Sequence, residues 1–302
     1  MLFLASCGPS SDYRDAYFGP EKVKDKFFAD PLVFYDSVTS KPRLDLSVEI
    51  PIANISFQKN YSNRTYYSKV FITVTLKNPA GELVLAKTYT ETSLYTYEDI
   101  KAKAKDSQFY LYNFSLNPGT YKVDVEVVDD YIKNEYKKSY NITAKDFSAK
   151  ETSFSDLMLL SKIDVKPDGT REISPQISNN VFGLKELFVF FEIYNNAGKD
   201  IPKEYIVRLK DSKGSVLKEL SLSYIVSPGK NQKFESVFIL SDLRKQIPFE
   251  NQMEMREKAK ENGLSFILEI LDKSSGTVES QKKLLFMPDR PPPEMINRPP
   301  PR

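Results

Sequence analysis

NPGTYKVDVEVVD, residues Asn117 to Asp129, holds the pattern from which the architecture follows. Asn117-Pro118-Gly119 opens it as a turn, because Pro118 presets its own φ and Gly119 accepts a positive one at little cost. A strand follows with period two. Tyr121, Val123, Val125 and Val127 face one way, and Lys122, Asp124 and Glu126 the other. One face therefore meets a core and the other meets water. A Tyr directly after such a turn suits a tyrosine corner, in which the hydroxyl ties back to upstream backbone.

The same alternation extends in both directions. Leu44, Leu46, Val48 and Ile50 point one way until Pro51 interrupts. Tyr66 to Leu76 places Val70, Ile72, Val74 and Leu76 on one face, and Asn78-Pro79-Ala80-Gly81 turns the chain into Leu83-Val84-Leu85 as a hairpin. Tyr110, Tyr112, Phe114 and Leu116 share a face, and Tyr136 to Thr143 closes the set. About seven short strands with regular turns predict a β-sandwich over 44–145.

After a polar boundary, further strands are read at Leu157–Lys166, Leu187–Tyr194, Tyr205–Lys210, Val216–Val226, Phe234–Leu240, Leu264–Leu271 and Val278–Phe286. Leu187–Tyr194 is apolar on both faces, as expected of a central strand covered on both sides. Phe249 to Asn262, followed by Gly263, reads as a short helix before the last hairpin. Its Met253 and Met255 suit filler against the sheet or contact with a partner. The fold expected is thus all-β: two tandem immunoglobulin- or fibronectin-III-like sandwiches, 44–145 and 153–287. The second carries the helical insertion, and a Pro-rich tail occupies 288–302.

Composition narrows the chemistry. Lys and Arg number 43 and Asp and Glu 41, so a net charge of +2 does not mark a nucleic-acid binder. The chain has no His, which removes His-based triads, general bases and metal ligands together. Cys7 is its single cysteine, so neither an intrachain disulfide nor a cysteine zinc site can form. With 41 carboxylates no acidic pair outranks another as hydrolase machinery. Asp129-Asp130 is a weak calcium candidate beside the plainer reading of a solvated loop. No cofactor is implied, and no enzyme is expected.

The first seven residues, MLFLASC, end in an apolar residue, two small residues and Cys7. Leu4-Ala5-Ser6-Cys7 resembles a bacterial lipobox. The resemblance implies cleavage before Cys7, diacylglycerol on its thiol and acylation of its new amino group, with several chains anchoring firmly. Segment 1–7 is then the end of a lipoprotein signal, and Gly8 after Cys7 favours the outer membrane. No later apolar run is long enough to span a bilayer. Segment 8–43 begins as a tether. Its many aromatics predict packing against a domain, through a short helix near Glu21 to Phe28, with partner binding as the alternative.

A second resemblance covers Leu44 to Asn195. The order VEIPIANISFQKN, RTYYSKVFITVTLKNPAGELV, FSLNPGTYKVDVEVVDD and KDFSAKETSFSDLMLLSKI is similar to the N-terminal β region of bacterial GWxTD-domain proteins. Its least generic parts are Asp146-Phe147, Phe154-Ser155-Asp156-Leu157 and Val181-Phe182-Gly183 leading to Phe191-Glu192-Ile193-Tyr194. The GWxTD signature itself is absent. The resemblance implies a sandwich and an exported location, and carries over no catalytic residue.

The tail offers Pro291, Pro292, Pro293, Pro299, Pro300 and Pro301 as a stiff extended segment that an aromatic groove could bind; the other reading is an unstructured end. Taken together, the sequence predicts a non-catalytic envelope lipoprotein. It is held to the membrane through Cys7 and serves as a structural or interaction module with other envelope proteins or copies of itself, without nucleic acid. A carbohydrate- or peptide-binding surface lipoprotein is the alternative, its many Tyr serving as stacking platforms. A carboxylate-based hydrolase comes third.

Overall fold

The computed structural model describes residues 26–61, 65–103, 105–181, 184–239 and 264–286. Cys7, the 249–262 helix and the Pro-rich tail lie outside them. The chain is all-β. In order it runs β1 (Phe28–Asp36), β2 (Lys41–Pro51), β3 (Gln58–Asn60), β4 (Thr65–Lys77), β5 (Leu83–Tyr95), α1 (Tyr97–Ala102), β6 (Ser107–Ser115), β7 (Gly119–Asp129) and β8 (Glu135–Ala144). It continues with β9 (Thr152–Phe154), β10 (Met158–Val165), β11 (Arg171–Pro175), β12 (Glu186–Asn195), β13 (Ile201–Asp211), β14 (Val216–Val226), β15 (Gly229–Ile239), β16 (Leu264–Asp272) and β17 (Val278–Phe286). The sheets are ordered β1-β2-β6; β3-β4-β7-β8 with β5 on β4; β11-β10-β12-β15 with β9 on β12; and β14-β13-β16-β17.

Two compact units result, and they interleave along the sequence. The first takes the described residues up to Ala29, Val48–Tyr110 and Lys122–Tyr140. The second takes Asp30–Ser47, Leu111–Tyr121 and the described residues from Asn141 onward. Strands β1, β2, β6, β7 and β8 therefore each give residues to both.

In the first unit the predicted alternation is realised in β4 and β7. Ile72, Val74, Val123 and Val125 are fully buried, and β4 pairs antiparallel with β7 from Val70–Asp129 to Lys77–Lys122. The Asn78 turn forms as read. The Gly81 N–H donates to the Asn78 carbonyl at 2.9 Å, and Gly81 takes φ +82°, a conformation that favours glycine. Strand β5 runs far beyond the expected Leu83–Leu85. It pairs with β4 along its whole length, from Tyr66–Tyr95 to Lys77–Leu83.

The second unit is a sandwich. Leu187, Val189, Phe191 and Ile193 of β12 share one core with Tyr205, Val207 and Leu209 of β13 and Leu268 and Ile270 of β16. Phe154 stacks on Phe191 with ring centroids 4.6 Å apart. The opposite face of β12 is covered as well. Phe190 packs with Leu32 and Phe34 of β1 and Leu160 of β10. The double burial expected of this strand thus has two separate apolar causes. The predicted tyrosine corner is present in this unit, where the Tyr121 hydroxyl donates to the Asn117 carbonyl at 2.9 Å.

The helix expected near Glu21 to Phe28 is corrected where it is described, since Phe28 opens β1. The strand carries Pro31, which has no N–H to donate and is tolerated because β1 ends its sheet. Packing of this segment does occur: Phe27, Leu32 and Phe34 are buried.

Tyr121→Phe is expected to lower stability by about 1 kcal/mol, the net worth of one hydrogen bond. Phe191→Ala should cost about 3–5 kcal/mol through the cavity it leaves. Equilibrium urea unfolding measures both, and similar losses for the two would contradict these roles.

Candidate functional site

A group of buried charges in the second unit lies around Phe154-Ser155-Asp156-Leu157, a stretch singled out by sequence resemblance. Each residue here has a structural task. Phe154 stacks on Phe191, and Leu157 is fully buried. The Ser155 N–H donates to the Glu192 carbonyl at 2.9 Å, and its hydroxyl accepts from the Glu192 N–H at 2.9 Å. Asp156 closes a ring with β1. Its N–H donates to the Val33 carbonyl at 3.0 Å, and its Oδ2 accepts from the Val33 N–H at 2.8 Å.

Two lysines attend this junction. Lys145 Nζ donates to the carbonyls of Glu279 at 2.7 Å and Phe154 at 3.1 Å. Lys282 of β17 pairs with Asp30 of β1, the two being 9% and 5% exposed, so this ion pair lies out of water. Burial pushes the Asp156 carboxyl above its ordinary range, against the pull of Lys145, and burial pushes the Lys145 ammonium below its own. Sequence reasoning marked Asp156 by resemblance but missed Asp30, Lys145 and Lys282; the Asp30–Lys282 contact closes a separation of 252 positions.

A second network surrounds Glu192, a buried carboxylate among the apolar residues of β12. Tyr194 donates its hydroxyl to Oε2, Gln232 Nε2 donates to Oε1 at 3.0 Å, and Lys230 lies 3.4 Å from Oε1. The Tyr35 N–H donates to the Tyr194 oxygen at 2.9 Å. Burial, followed by the Glu192 charge, holds the Tyr194 phenol far above its ordinary pKa. Tyr194 therefore acts as a neutral donor, and the network is a closed strut.

In the first unit Asp129 is buried, and its oxygens are taken by backbone. Oδ2 accepts from the Ser56 N–H at 2.8 Å, and Oδ1 from Tyr131 at 2.9 Å and Ile132 at 3.2 Å. Asp130 pairs with Lys69 at 3.4 Å and with Lys133. Asp129 is thus a turn anchor, as an Asp preceding a tight loop often is. Beside it, Ser56, Gln58, Tyr67, Lys69, Asp130 and Tyr131 line a cleft of about 120 Å³. That is well under the 300 Å³ or so at which small-molecule sites usually begin. Among the described residues, no group of three His, Cys, Asp or Glu side chains is arranged to hold a metal ion, and no helix is long and apolar enough to cross a membrane.

The remaining candidates are sheet margins. β5 and β14 each pair on one side only among the described residues. They carry exposed apolar side chains: Leu83, Val84 and Leu94 on β5, and Val216 and Ile225 on β14. The sequence-derived sites, Cys7, Pro291, Pro292, Pro293, Pro299, Pro300 and Pro301, lie outside the described residues.

No protein-family model matches the chain, and no curated protein matches it. Solved structures do. Red sea bream transglutaminase matches at 9% identity with a TM-score of 0.22, covering 86% of this chain and 31% of that one. A DUF4785 family protein of Legionella pneumophila matches at 12% and 0.22, covering 87% and 56%. Bacteroides uniformis beta-glucuronidase matches at 10% and 0.27, covering 80% and 26%. The chain thus spans less than two thirds of each, and superposition this loose carries nothing about activity.

Removing one partner of the buried pair, as in Lys282→Met, should cost about 3–5 kcal/mol by stranding the Asp30 charge. The double variant with Asp30→Asn should cost less than the sum of the single changes by at least about 1 kcal/mol, and additivity in a double-mutant cycle would contradict the coupling. Asp272 gives a pH signature. Burial alone would raise its pKa, but the Ser274 hydroxyl and Lys203 Nζ, at 2.9 Å, outweigh burial and hold it well below the ordinary value. Its stabilisation is therefore complete above about pH 4, the unfolded value, and is lost as pH falls through the lower folded one. Asp272→Ala should cost about 2–3 kcal/mol at neutral pH, with the gap to wild type narrowing below about pH 4 in urea titrations.

Proposed function

We propose that this protein is a non-catalytic, lipid-anchored cell-envelope protein that serves as a structural or protein-interaction module in an envelope or surface assembly. The observation that carries this reading is the pair of long strands, β5 and β14, whose outer margins have no strand partner among the described residues. A strand edge offers rows of N–H and C=O groups to another chain, so edges are contact surfaces by construction. By contrast, the buried charges of the second unit are consumed internally by backbone and by each other.

The lipobox-like Leu4-Ala5-Ser6-Cys7 supports the anchor and the outer-membrane location. The resemblance to the N-terminal β region of GWxTD-domain proteins supports export. On this reading the partners are other envelope proteins or copies of the same chain, and the prolines of the tail are a further contact segment.

The cleft beside Asp130 favours one alternative, a carbohydrate- or peptide-binding lipoprotein. Tyr67 and Tyr131 are 37% and 52% exposed beside Gln58 and Lys69, a mix of ring faces and polar groups that suits a single sugar unit or side chain.

Purification from host membranes separates the readings. The expected result is an acylated mature chain beginning at Cys7, cross-linked into a discrete assembly, with Cys7→Ala released to the soluble fraction. An unmodified Cys7 on the mature chain would remove the anchor. A lone chain retained on a glycan array, with binding lost in Tyr67→Ala, would replace the interaction reading with the alternative.

A further inference from the structure

We infer that β5 is a self-recognition edge, pairing antiparallel with β5 of a second copy across a two-fold axis at Tyr89. The inference rests on the proposed role as an interaction module and names its partner. β5 is 13 residues long, contains no proline, and is hydrogen-bonded along one margin only, to β4, among the described residues.

Antiparallel pairing limits the choice of register. A residue's N–H and C=O point to the same side of a strand, so outward-pointing residues must face outward-pointing ones. In a symmetric pair of β5 strands, the numbers of facing residues must therefore sum to an even value. The register centred on Tyr89 satisfies this over the regular part of the strand, Leu85 to Ser93; beyond a bulge at Val84, where β5 slips against β4, Val84 and Leu83 come opposite Leu94 and Tyr95 of the other copy.

That register is also chemically self-complementary. On the side shared with the buried residues of β4, Lys87 faces Glu91 of the second copy, and Glu91 faces its Lys87. On the solvent side, Val84 faces Leu94, Ala86 faces Thr92, and Thr88 faces Thr90. Val84 and Leu94 are 49% and 65% exposed, so the two apolar pairs would cover surface now wet. Centring one permitted step earlier, on Thr88, sets Lys87 against Tyr89 and Glu91 against Leu85. Another long edge, β14, lacks this symmetry. Folded about its midpoint, it sets Lys218 against Tyr224 and Glu219 against Ser223.

Lys87 sharpens the selectivity. It is exposed although it lies opposite buried Val74, with Nζ 4.8 Å from the Tyr89 ring centroid. A lysine on the inward face of an edge strand normally blocks edge-to-edge association. Here it admits a strand that presents a carboxylate at the facing position, which a second β5 does. Pairing over the full length would form on the order of a dozen backbone hydrogen bonds.

Two variants of equal bulk on the exposed face test the register, by sedimentation velocity on the full chain. Wild type should sediment as a dimer at tens of micromolar or so, a modest affinity for an interface of this kind. V84K/L94K sets lysine against lysine twice and should raise the dissociation constant at least about tenfold. V84K/L94E sets lysine against glutamate and should stay within about threefold of wild type. Both sites point to solvent, so unfolding midpoints should match wild type. A wild-type monomer across this range, or equal responses of the two variants, overturns the inference. If wild type is monomeric while membrane purification yields an assembly with other proteins, self-pairing fails and the interaction reading stands.

Discussion

The second unit depends on one strand, β12, being covered on both faces. An apolar run such as Leu187–Tyr194 cannot leave either side in water, so it demands a sheet against one face and further cover on the other. Phe191 and its neighbours obtain the first from β13 and β16; Phe190 obtains the second from Leu32 and Phe34 of β1. Burial of this kind contributes roughly 25 cal/mol per Å² of apolar surface, and no other term in the unit acts over so much area. The demand also explains why β1, remote in sequence, belongs to this unit. It likewise fixes the treatment of Glu192, the buried carboxylate of the strand, which would be untenable there without Tyr194, Gln232 and Lys230 around it.

The buried ionic groups follow from the same arrangement. Once β1 lies against the sheet, Asp30 is drawn out of water and requires a counter-charge, which Lys282 supplies. Asp156 meets its requirement through Val33 and Lys145. Such pairs contribute little net stability compared with apolar replacements, but breaking one is costly. They therefore specify which segment docks and in which register more than they add to total stability. A stretch that resemblance marks as distinctive, Phe154-Ser155-Asp156-Leu157, proves to be a junction of this sort.

What the sequence disclosed and what it withheld divide along a physical line. Leu44, Leu46, Val70, Ile72, Val74 and Val123 announce themselves because one face of each strand is apolar and the other is not, and all are buried. Leu187–Tyr194 announces its double cover by having no polar face. β5 beyond Leu85 was illegible. Its Thr, Ser, Lys and Glu sit at a margin where neither face is fully buried, so no core imposes a pattern. The helix α1 was hidden for a different reason. It has six residues and is held by a reciprocal cap between Thr96 and Asp99 rather than by a periodic apolar stripe. The Asp30–Lys282 pairing was beyond reach because nothing local distinguishes these two residues from solvated ones, and the marking of Asp156 by resemblance did not point to Lys145. Cys7 and the prolines of 288–302 lie outside the described residues.

The docking of β1 has a mechanical corollary. Tension entering from the N-terminal side meets this strand first among the described elements of the second unit. Its attachment there combines interdigitated aromatics, a two-way backbone clasp with Asp156 and a salt link to the far end of the chain. Peeling it away would expose a charge pair and an apolar face in a single event. Resistance to pulling would then be set by the rate of that event rather than by the equilibrium stability of the whole body.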